Sequence, residues 1–538
     1  MICIIPASRR KPGPTRQPAR RVIGGSRLSP GRGLRGFAGL SVLLVTTGCT
    51  VGPDYDRPAA PVPPAYKEAA AKAGWQVARP ADAIDRGVWW SVYKDPVLDG
   101  LERQVDISNQ NLKSAEAAFR QAEAIVAQAR SGFFPTATIT AQAQRSRSSG
   151  NLGRGPGGPG NIQNFFSVSE AASWVPDLWG KVARTVESDV ANAQASAGDV
   201  ASARLAVQGQ LASDYMQLRI ADELKRLLDA AVKAYTESLR ITQNQYQAGI
   251  VSASDVAQAR TQLENTRAQA IATGILRAQL EHAIAVLIGK APAELTIAVV
   301  STVPELPTIP PGLPSALLER RPDIAAAERR MAAANAQIGV AEAAFFPTIT
   351  LSASSGAAAE QIGKLVSAAS RTWAFGSTLA ETIFDAGLRH AVVEQARAVL
   401  DATIADYRQT VLTGFQQVED ELAALRILAD QAAAEDIAVA ASREAERIFT
   451  NQYKAGTVAY TSVVVAQTAA LANAETAVNI RQSRLLASVA LIQALGGGWD
   501  AAQLPNRERI EADEPLNFNP LPPADAAPRP AFLDWLSF

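Results

Sequence analysis

The sequence has 538 residues, of which 6% are aromatic, and it carries 52 basic and 52 acidic residues. Its length allows a large buried core, and its alanine-rich, aromatic-poor composition favours extended helices over a compact α/β enzyme. Nine of the basic residues and none of the acidic ones lie in residues 1–48, so the rest of the chain is acidic. No nucleic-acid partner is expected, since phosphate binding needs a basic surface. Two cysteines and two histidines also argue against a metal site or a disulfide framework.

The N-terminal segment has the organisation of a secretory signal. Basic residues are followed by a short apolar segment, Phe37 to Val45, and then by small residues. The apolar segment is too short to span a bilayer. Cys49 stands where the lipidated cysteine of a bacterial lipobox stands, although Thr46 occupies a position that is usually leucine. We predict that Cys49 carries a covalent lipid, and Thr50 after it points to the outer membrane; a plain signal with an incidental cysteine is the alternative.

The chain is built from two similar halves. The stretch "ARSGFFPTATITAQ" (residues 129–142) recurs as "EAAFFPTITLSAS" (residues 342–354), and "NQYQAGIVSASDVAQA" (residues 244–259) recurs as "NQYKAGTVAYTSVVVAQ" (residues 451–467). Equivalent residues are 212 positions apart before the strand region and 207 apart after it. A repeat of this length indicates a duplicated unit and not a solenoid.

Each half begins with a helical pattern that ends at a proline. Apolar residues spaced three and four apart run from Leu98 to Ala129 and from Ile324 to Ala341, which is the coiled-coil pattern. Alanine at many of these positions predicts closely packed helices. Pro135 and Pro347 should end the two helices, because proline lacks a backbone donor and clashes with the preceding turn.

After each proline the apolar period changes to two, which predicts two strands in each half. The strands begin at Thr136, near Phe166, at Thr348 and near Trp373, and a Gly-rich loop separates the first pair. Strands of about ten residues with one apolar face suit a transmembrane barrel; a half-buried soluble sheet is the alternative. Four strands are too few to close a barrel, and an open edge in lipid leaves backbone groups unpaired. We therefore predict a twelve-stranded barrel shared by three copies.

Long helices follow the strands, from Lys181 to Gln247 and from Leu388 to Lys454. A helix of about 65 residues is on the order of 100 Å long, enough to cross most of a periplasm. Glycine suits the helix end and serine or aspartate the next helix start. The predicted turns and restarts are Ala248-Gly249 with Ser252–Asp255, and Ala455-Gly456 with Thr461-Ser462.

Together these motifs resemble the TolC-like outer-membrane efflux factors, specifically their NodT-type lipoprotein branch. The resemblance rests on "GCTVGPDYDRP", "ERRPDIAAAERRMAAANAQIGVAEAAFFPTITLSAS", the two "YxAG" turns and "ALGGGW", and it covers residues 49–499. It implies a mainly α fold with a small transmembrane β part: a homotrimer with an α-helical tunnel and a shared barrel. It also implies a passive exit duct for small molecules, fed by a proton-driven inner-membrane pump through a periplasmic adaptor.

No cofactor and no enzymatic activity are expected, because the sequence lacks G-x-x-x-x-G-K-[ST], G-x-S-x-G and H-E-x-x-H. Three alternatives remain open: a duct for protein secretion, a structural envelope lipoprotein and a secreted hydrolase. The predicted organisation is a signal (1–48), an N-terminal extension (49–97), a first repeat (98–290), a linker (291–315), a second repeat (316–498) and a Pro/Ala-rich tail (499–538).

The resemblance also implies two sites at the end of the long helices. Adaptor docking is expected at the exposed turns, at Gly249, Ile250, Gly456 and Thr457. The family gate aligns with Asp255, Tyr453, Ser462 and Val465, with Asp255 and Tyr453 as a polar link. The usual constriction aspartate is replaced by Val465, so three valines would form an apolar neck that closes by dewetting. The alternative is that Val465 is a core residue and that Glu475 supplies an acidic ring.

Overall fold

We analysed a computed structural model, which describes residues 50–60, 62–68, 88–147, 149, 162–300, 303–309 and 316–512. The predicted signal peptide, Cys49 and residues 513–538 of the tail lie outside the described residues. The first half contains α1 (Pro96–Ser108), α2 (Gln110–Ser131), β1 (Thr136–Arg147), β2 (Ile162–Trp174), α3 (Lys181–Gln247) and α4 (Ala253–Leu287). The second contains α5 (Leu317–Arg320), α6 (Pro322–Ala343), β3 (Thr348–Ala359), β4 (Arg371–Ala380), α7 (Leu388–Lys454) and α8 (Tyr460–Ala494), and α9 (Arg507–Ala512) follows. The prediction of a mainly α fold with a duplicated helix–strand–strand–helix unit is confirmed.

The long helices have the predicted bounds, but the first predicted helix is divided. The heptad pattern from Leu98 to Ala129 was expected to form one helix, and this is wrong because α1 ends and α2 begins at Asn109. The backbone of Asn109 is extended, and its side chain accepts a hydrogen bond from the N–H of Leu112 (2.9 Å). Its amide donates to the carbonyl of Leu287 (2.7 Å). Asn109 therefore caps α2 and fastens it to the end of α4.

The sheet joins the two halves of the chain. Neighbouring strands are antiparallel in the order β1-β2-β3-β4, so the first half is linked to the second through β2 and β3. β1 and β4 are the edges of this sheet. Trp373 and Phe375 on β4 share a face and are 74% and 78% exposed, which fits strands with an outward apolar face.

Close packing of small residues sets the arrangement of the helices. α3 and α4 form one antiparallel hairpin, α7 and α8 form the other, and α3 also packs on α6 and α8. A Cβ atom at Gly198 of α3 would lie 3.0 Å from the Cβ of Ala326 on α6. The close approach predicted from the small side chains is confirmed, and a larger side chain at Gly198 would push the two helices apart.

The described N-terminal residues run along the outside of the helices. Arg184 of α3 donates to the carbonyls of Val51 (3.1 Å) and Gly52 (3.0 Å). The hydroxyl of Tyr55 donates to Glu328 of α6 (2.6 Å), and Glu68 pairs with Arg426 of α7 (2.6 Å). These contacts hold residues 50–60 and 62–68 against three helices, and the end at residue 50 lies beside the connection between β2 and α3.

Part of the predicted Pro/Ala-rich tail is ordered against the helices. Residues 507–512 form α9, and Ile510 is buried with Val126 of α2 and Val190 of α3. The guanidinium of Arg130 donates to the carbonyl of Glu511. This helix therefore reinforces the packing of α2 on α3.

Candidate functional site: the ends of the helical hairpins

The two hairpin turns have nearly identical backbones. At the end of α3, Gly249 has φ +72°, and the N–H of Ile250 donates to the carbonyl of Gln245 (2.9 Å). At the end of α7, Gly456 has φ +75°, and the N–H of Thr457 donates to the carbonyl of Gln452 (3.0 Å). These bonds form the C-terminal cap in which glycine takes the left-handed conformation. The predicted glycine turns are confirmed in both halves.

The turns are open to solvent. A Cβ atom at Gly249 or Gly456 would meet nothing within 4 Å. Ile250 is 67% exposed, and Thr457 is exposed as well. The packing of the described chain therefore does not occupy the four predicted docking residues, which leaves their surface available to a partner.

The two hairpins restart in different ways. At the start of α4, the Ser252 hydroxyl accepts from the N–H of Asp255, and the Asp255 carboxylate accepts from the N–H of Ser252 (3.1 Å), which is a capping box. α8 begins at Tyr460, next to the predicted restart near Thr461-Ser462, and its N-cap, Ala459, makes no side-chain bond. The start of α8 is instead held by the buried side chain of Tyr460, which is 2% exposed.

Three tyrosine hydroxyls join α3 to the second hairpin near the turns. Tyr453 of α7 donates to the hydroxyl of Thr242 (3.3 Å), and the hydroxyls of Tyr460 and Ser238 lie 3.2 Å apart. Tyr235 of α3 donates to the main-chain carbonyl of Gln467 on α8 (3.1 Å). We refer to these three contacts as the tyrosine latch. Sequence analysis identified Tyr453 but missed its other members: Tyr460, Tyr235, Ser238 and Thr242. The available signal was the i, i+4 pair Ser238 and Thr242, two hydroxyls on a single face of a long helix.

The predicted link between Asp255 and Tyr453 is not formed directly in the described chain. Asp255 bonds to Ser252 in the capping box, whereas the Tyr453 hydroxyl bonds to Thr242. Burial raises the pKa of Tyr453, the hydrogen bond between its hydroxyl and that of Thr242 opposes this rise, and the charge of Asp255 adds to it. Burial likewise raises the pKa of Tyr235 to about 12. The latch hydroxyls therefore stay neutral at physiological pH.

Val465 lies on the outside of α8. It is 70% exposed, whereas Val463 is 1% exposed and packs with Tyr453 and Tyr460. Ser462, one turn before Val465, is partly buried. Burial raises the pKa of Glu475, farther along α8. Val465 is thus not a core residue of the single chain, and its apolar side chain is free to face a neighbouring copy or a pore.

Within the described ranges, no group of three or more His, Cys, Asp or Glu side chains is arranged to hold a metal ion. A cavity with a volume of about 390 Å³ lies between α3, α6, α7 and α8, and its lining includes Arg321 and Glu421. Arg321 is already bonded there to Gln417 (2.7 Å) and Asp323 (2.6 Å).

Comparison with known proteins assigns a family to this architecture. The family model described as "Outer membrane efflux protein" matches residues 102–290 and 313–497. The antibiotic efflux pump outer membrane protein ArpC of Pseudomonas putida is 32% identical over 457 residues, which cover 85% of this chain and 94% of ArpC. The outer-membrane channel OprN superposes with a TM-score of 0.74 at 29% identity, covering 84% of this chain and all of OprN. The Campylobacter jejuni CmeC outer membrane channel superposes with a TM-score of 0.78 at 25% identity, covering 85% and 96%.

Proposed function

Since this chain belongs to the outer membrane efflux protein family and is an outer-membrane efflux channel subunit, we propose that three copies form the passive exit duct of a tripartite pump. The observation that carries the proposal is the four-stranded sheet, whose edge strands β1 and β4 both lack a partner strand among the residues that the structure describes. In a bilayer, each backbone N–H or C=O group left unpaired at such an edge costs on the order of several kcal/mol of free energy. Pairing β4 of each copy with β1 of the next closes a barrel of twelve strands.

The helices support the same ring of copies. α4 has an exposed apolar row that includes Ile271 (69%), Ile275 (65%) and Val286 (63%), and α7 exposes Ile427 (55%) and Ile437 (72%). Among the described helices, α4 is the one whose length and apolar composition would suit a membrane span, and this composition equally suits a helix that packs against a neighbouring copy. Packing α4 of each copy on α7 of the next would bury these exposed apolar side chains and enclose an α-helical tunnel.

The duct has outside partners for energy and for substrate choice. We expect the exposed turns at Gly249, Ile250, Gly456 and Thr457 to dock a periplasmic adaptor, which joins the duct to a proton-driven inner-membrane pump. ArpC belongs to an antibiotic efflux pump by its description, and we propose small molecules as the substrates here as well. The pump, and not this chain, would select them.

The N-terminal anchor is proposed to be a lipid on Cys49. Thr50, its neighbour in sequence, lies against Gly180 at the start of α3, and the N–H of Val51 donates to the carbonyl of Trp179 (3.2 Å). These contacts hold the chain directly after Cys49 beside the sheet, where a bilayer would begin. Radiolabelled palmitate should be incorporated into the wild type and not into Cys49→Ser. Label that persists in Cys49→Ser would contradict the assignment.

The gate is proposed to close at two levels. The tyrosine latch holds α3 against α7 and α8, and three copies of Val465 form an uncharged neck that excludes water. Widening the tunnel at this end requires the second hairpin to part from α3, and therefore requires the latch bonds to break. Asp255, which the sequence predicts as a gate residue, contributes to the closed gate through its negative charge and through its capping bond at the start of α4.

The assembly is tested on membrane extracts. Without heating, the protein should migrate on a denaturing gel as a trimer, and after boiling as a monomer. Deletion of the protein should increase sensitivity to small toxic molecules, and the full-length chain should restore resistance. A chain that migrates only as a monomer and fails to restore resistance would exclude the shared duct.

A further inference from the structure

The connection between β2 and α3 is covered by an aromatic contact within the chain. The ring of Trp179 stacks on Phe346, with ring centroids 4.9 Å apart and an interplanar angle of 23°. Its indole N–H donates to the carbonyl of Pro347 (2.7 Å). We call the Phe-Phe-Pro segment directly before β1 and before β3 a corner; it comprises residues 133–135 in the first half and residues 345–347 in the second. The corner of the second half thus packs against the connection that follows the strands of the first half.

Among the described residues, nothing comparable covers the equivalent surfaces at the two edges of the sheet. Phe133 and Phe134, directly before β1, are 36% and 50% exposed. Ile383 and Phe384, directly after β4, are 95% and 85% exposed. A single protomer therefore exposes the corner before β1 at one edge of its sheet and the connection after β4 at the other, and these are the two kinds of surface that pack together within the chain.

The connection after β4 is braced by polar contacts despite this exposure. Arg389 donates to the carbonyl of Thr382 and to the carboxylate of Asp385, both at 2.6 Å. Asp385 also accepts from the N–H of Gly387 (3.0 Å). Ile383 and Phe384 are therefore presented by a braced loop, which reduces the entropy cost of binding another surface.

We propose that Phe134 of one copy packs against Ile383 and Phe384 of the next copy, at the base of the shared barrel. This inference rests on the ring of three copies in the proposed function and names the contact that seals each joint. The repeat offset aligns Trp179 with Ala386, so the second half has no ring at the position that covers the corner of the first. Phe384, two residues earlier, supplies the missing aromatic ring, and the pairing of β4 with β1 brings the two surfaces together.

The contact is tested by cross-linking between copies. A chain with Phe134→Cys and Phe384→Cys, treated in membranes with a short bis-maleimide, should form covalent dimers and trimers on a boiled denaturing gel. The pair Phe134→Cys and Ile383→Cys repeats the measurement at an independent position. Each single-cysteine variant should remain at monomer mass.

Two matched pairs serve as controls. Trp179→Cys with Phe346→Cys lies within one copy and should link without an increase in mass. Phe134→Cys with Val366→Cys should not link, because Val366 is 93% exposed but lies in the loop at the opposite end of the strands.

The outcomes separate this inference from the proposed function. Heat-modifiable trimers with no covalent dimer from either test pair would overturn the contact and place these side chains against lipid, while leaving the shared duct intact. Absence of the trimer in the wild type would contradict the proposed function itself.

Discussion

The tyrosine latch can be weakened without removing any packed ring. Tyr453→Phe and Tyr460→Phe each delete one hydroxyl, whose oxygen lies 3.3 Å from Thr242 in the first case and 3.2 Å from Ser238 in the second. Both distances exceed the usual O–H···O range, so each bond is placed near the lower end of the net contribution, at about 0.5 kcal/mol. The double variant therefore loses about 1 kcal/mol in each copy, or about 3 kcal/mol in a trimer that opens as one unit. A change of this size raises the ratio of open to closed channels by roughly a hundredfold.

The assay is single-channel recording of the full-length trimer in a planar bilayer. We expect each single variant to raise the conductance or the open probability, and the double variant to raise it further. Because the hydroxyls are neutral, the effect should change little between pH 6 and pH 8, both well below the usual tyrosine pKa of about 10.

The matched control is Tyr246→Phe. Tyr246 is the first-half equivalent of Tyr453 but is 50% exposed, and the residue equivalent to Thr242 in the second half is Phe449, which has no hydroxyl. This variant should conduct like the wild type. A double variant with unchanged conductance would refute the role of the latch, and an equal increase in Tyr246→Phe would show that the effect is not specific to it.

The other predictions concern the neck, the turns and a buried carboxyl. The wild-type channel should resist block by trivalent cations from the periplasmic side and Val465→Asp should create that block; strong block of the wild type would reveal an acidic ring elsewhere. Gly249→Trp combined with Gly456→Trp should cost about 1–2 kcal/mol of backbone strain at each site and should impair export at an unchanged trimer level. The control Gly100→Trp, whose Cβ position is equally open, should export normally. Loss of the trimer in the double variant would instead indicate a folding defect. Glu102 is fully buried with both carboxylate oxygens unbonded among the described residues, and burial raises its pKa well above the usual value. As pH rises, Glu102 therefore loses its proton in the unfolded chain before it does so in the folded one, and the wild type loses stability above about pH 4.5. The melting temperature of Glu102→Gln should consequently fall less between pH 5 and pH 8 than that of the wild type. Equal falls in both proteins would contradict the assignment.

Much of the fold follows from local signals in the sequence. The bounds of α3 and α7 agree with the prediction because the glycines at both ends adopt positive φ, which few other residues tolerate. The prolines of the two corners end the preceding helices for an equally local reason. The duplication was visible because both halves keep the same corner and the same turn. These signals act between residues that are close in sequence, so the amino-acid sequence is enough to predict the elements that they define.

The candidate site was only partly predictable. Tyr453 was identified through the family resemblance, but its bonding partner, Thr242, lies 211 residues away in the chain. Asn109 divided a helix that the heptad pattern predicts as continuous, because its side chain found a carbonyl on α4. The spacing of Ser238 and Thr242 marks a polar face of α3 but does not identify the distant side chains that meet it, and no spacing marks the contact of Asn109.

The amino-acid sequence by itself determined the duplicated unit, the two strand pairs and the length of the helical hairpins, and it predicts a secretion signal. Only the tertiary structure decided which hydroxyls meet between α3 and the second hairpin, that Val465 faces outward while Val463 is buried, and which aromatic corner is left uncovered at each edge of the sheet. The physical reason is one of range. Helix ends, turns and strand alternation follow from backbone conformations that a residue and its near neighbours prefer. The facing of a side chain depends on how helices from distant parts of the chain pack, and that packing exists only in the folded protein.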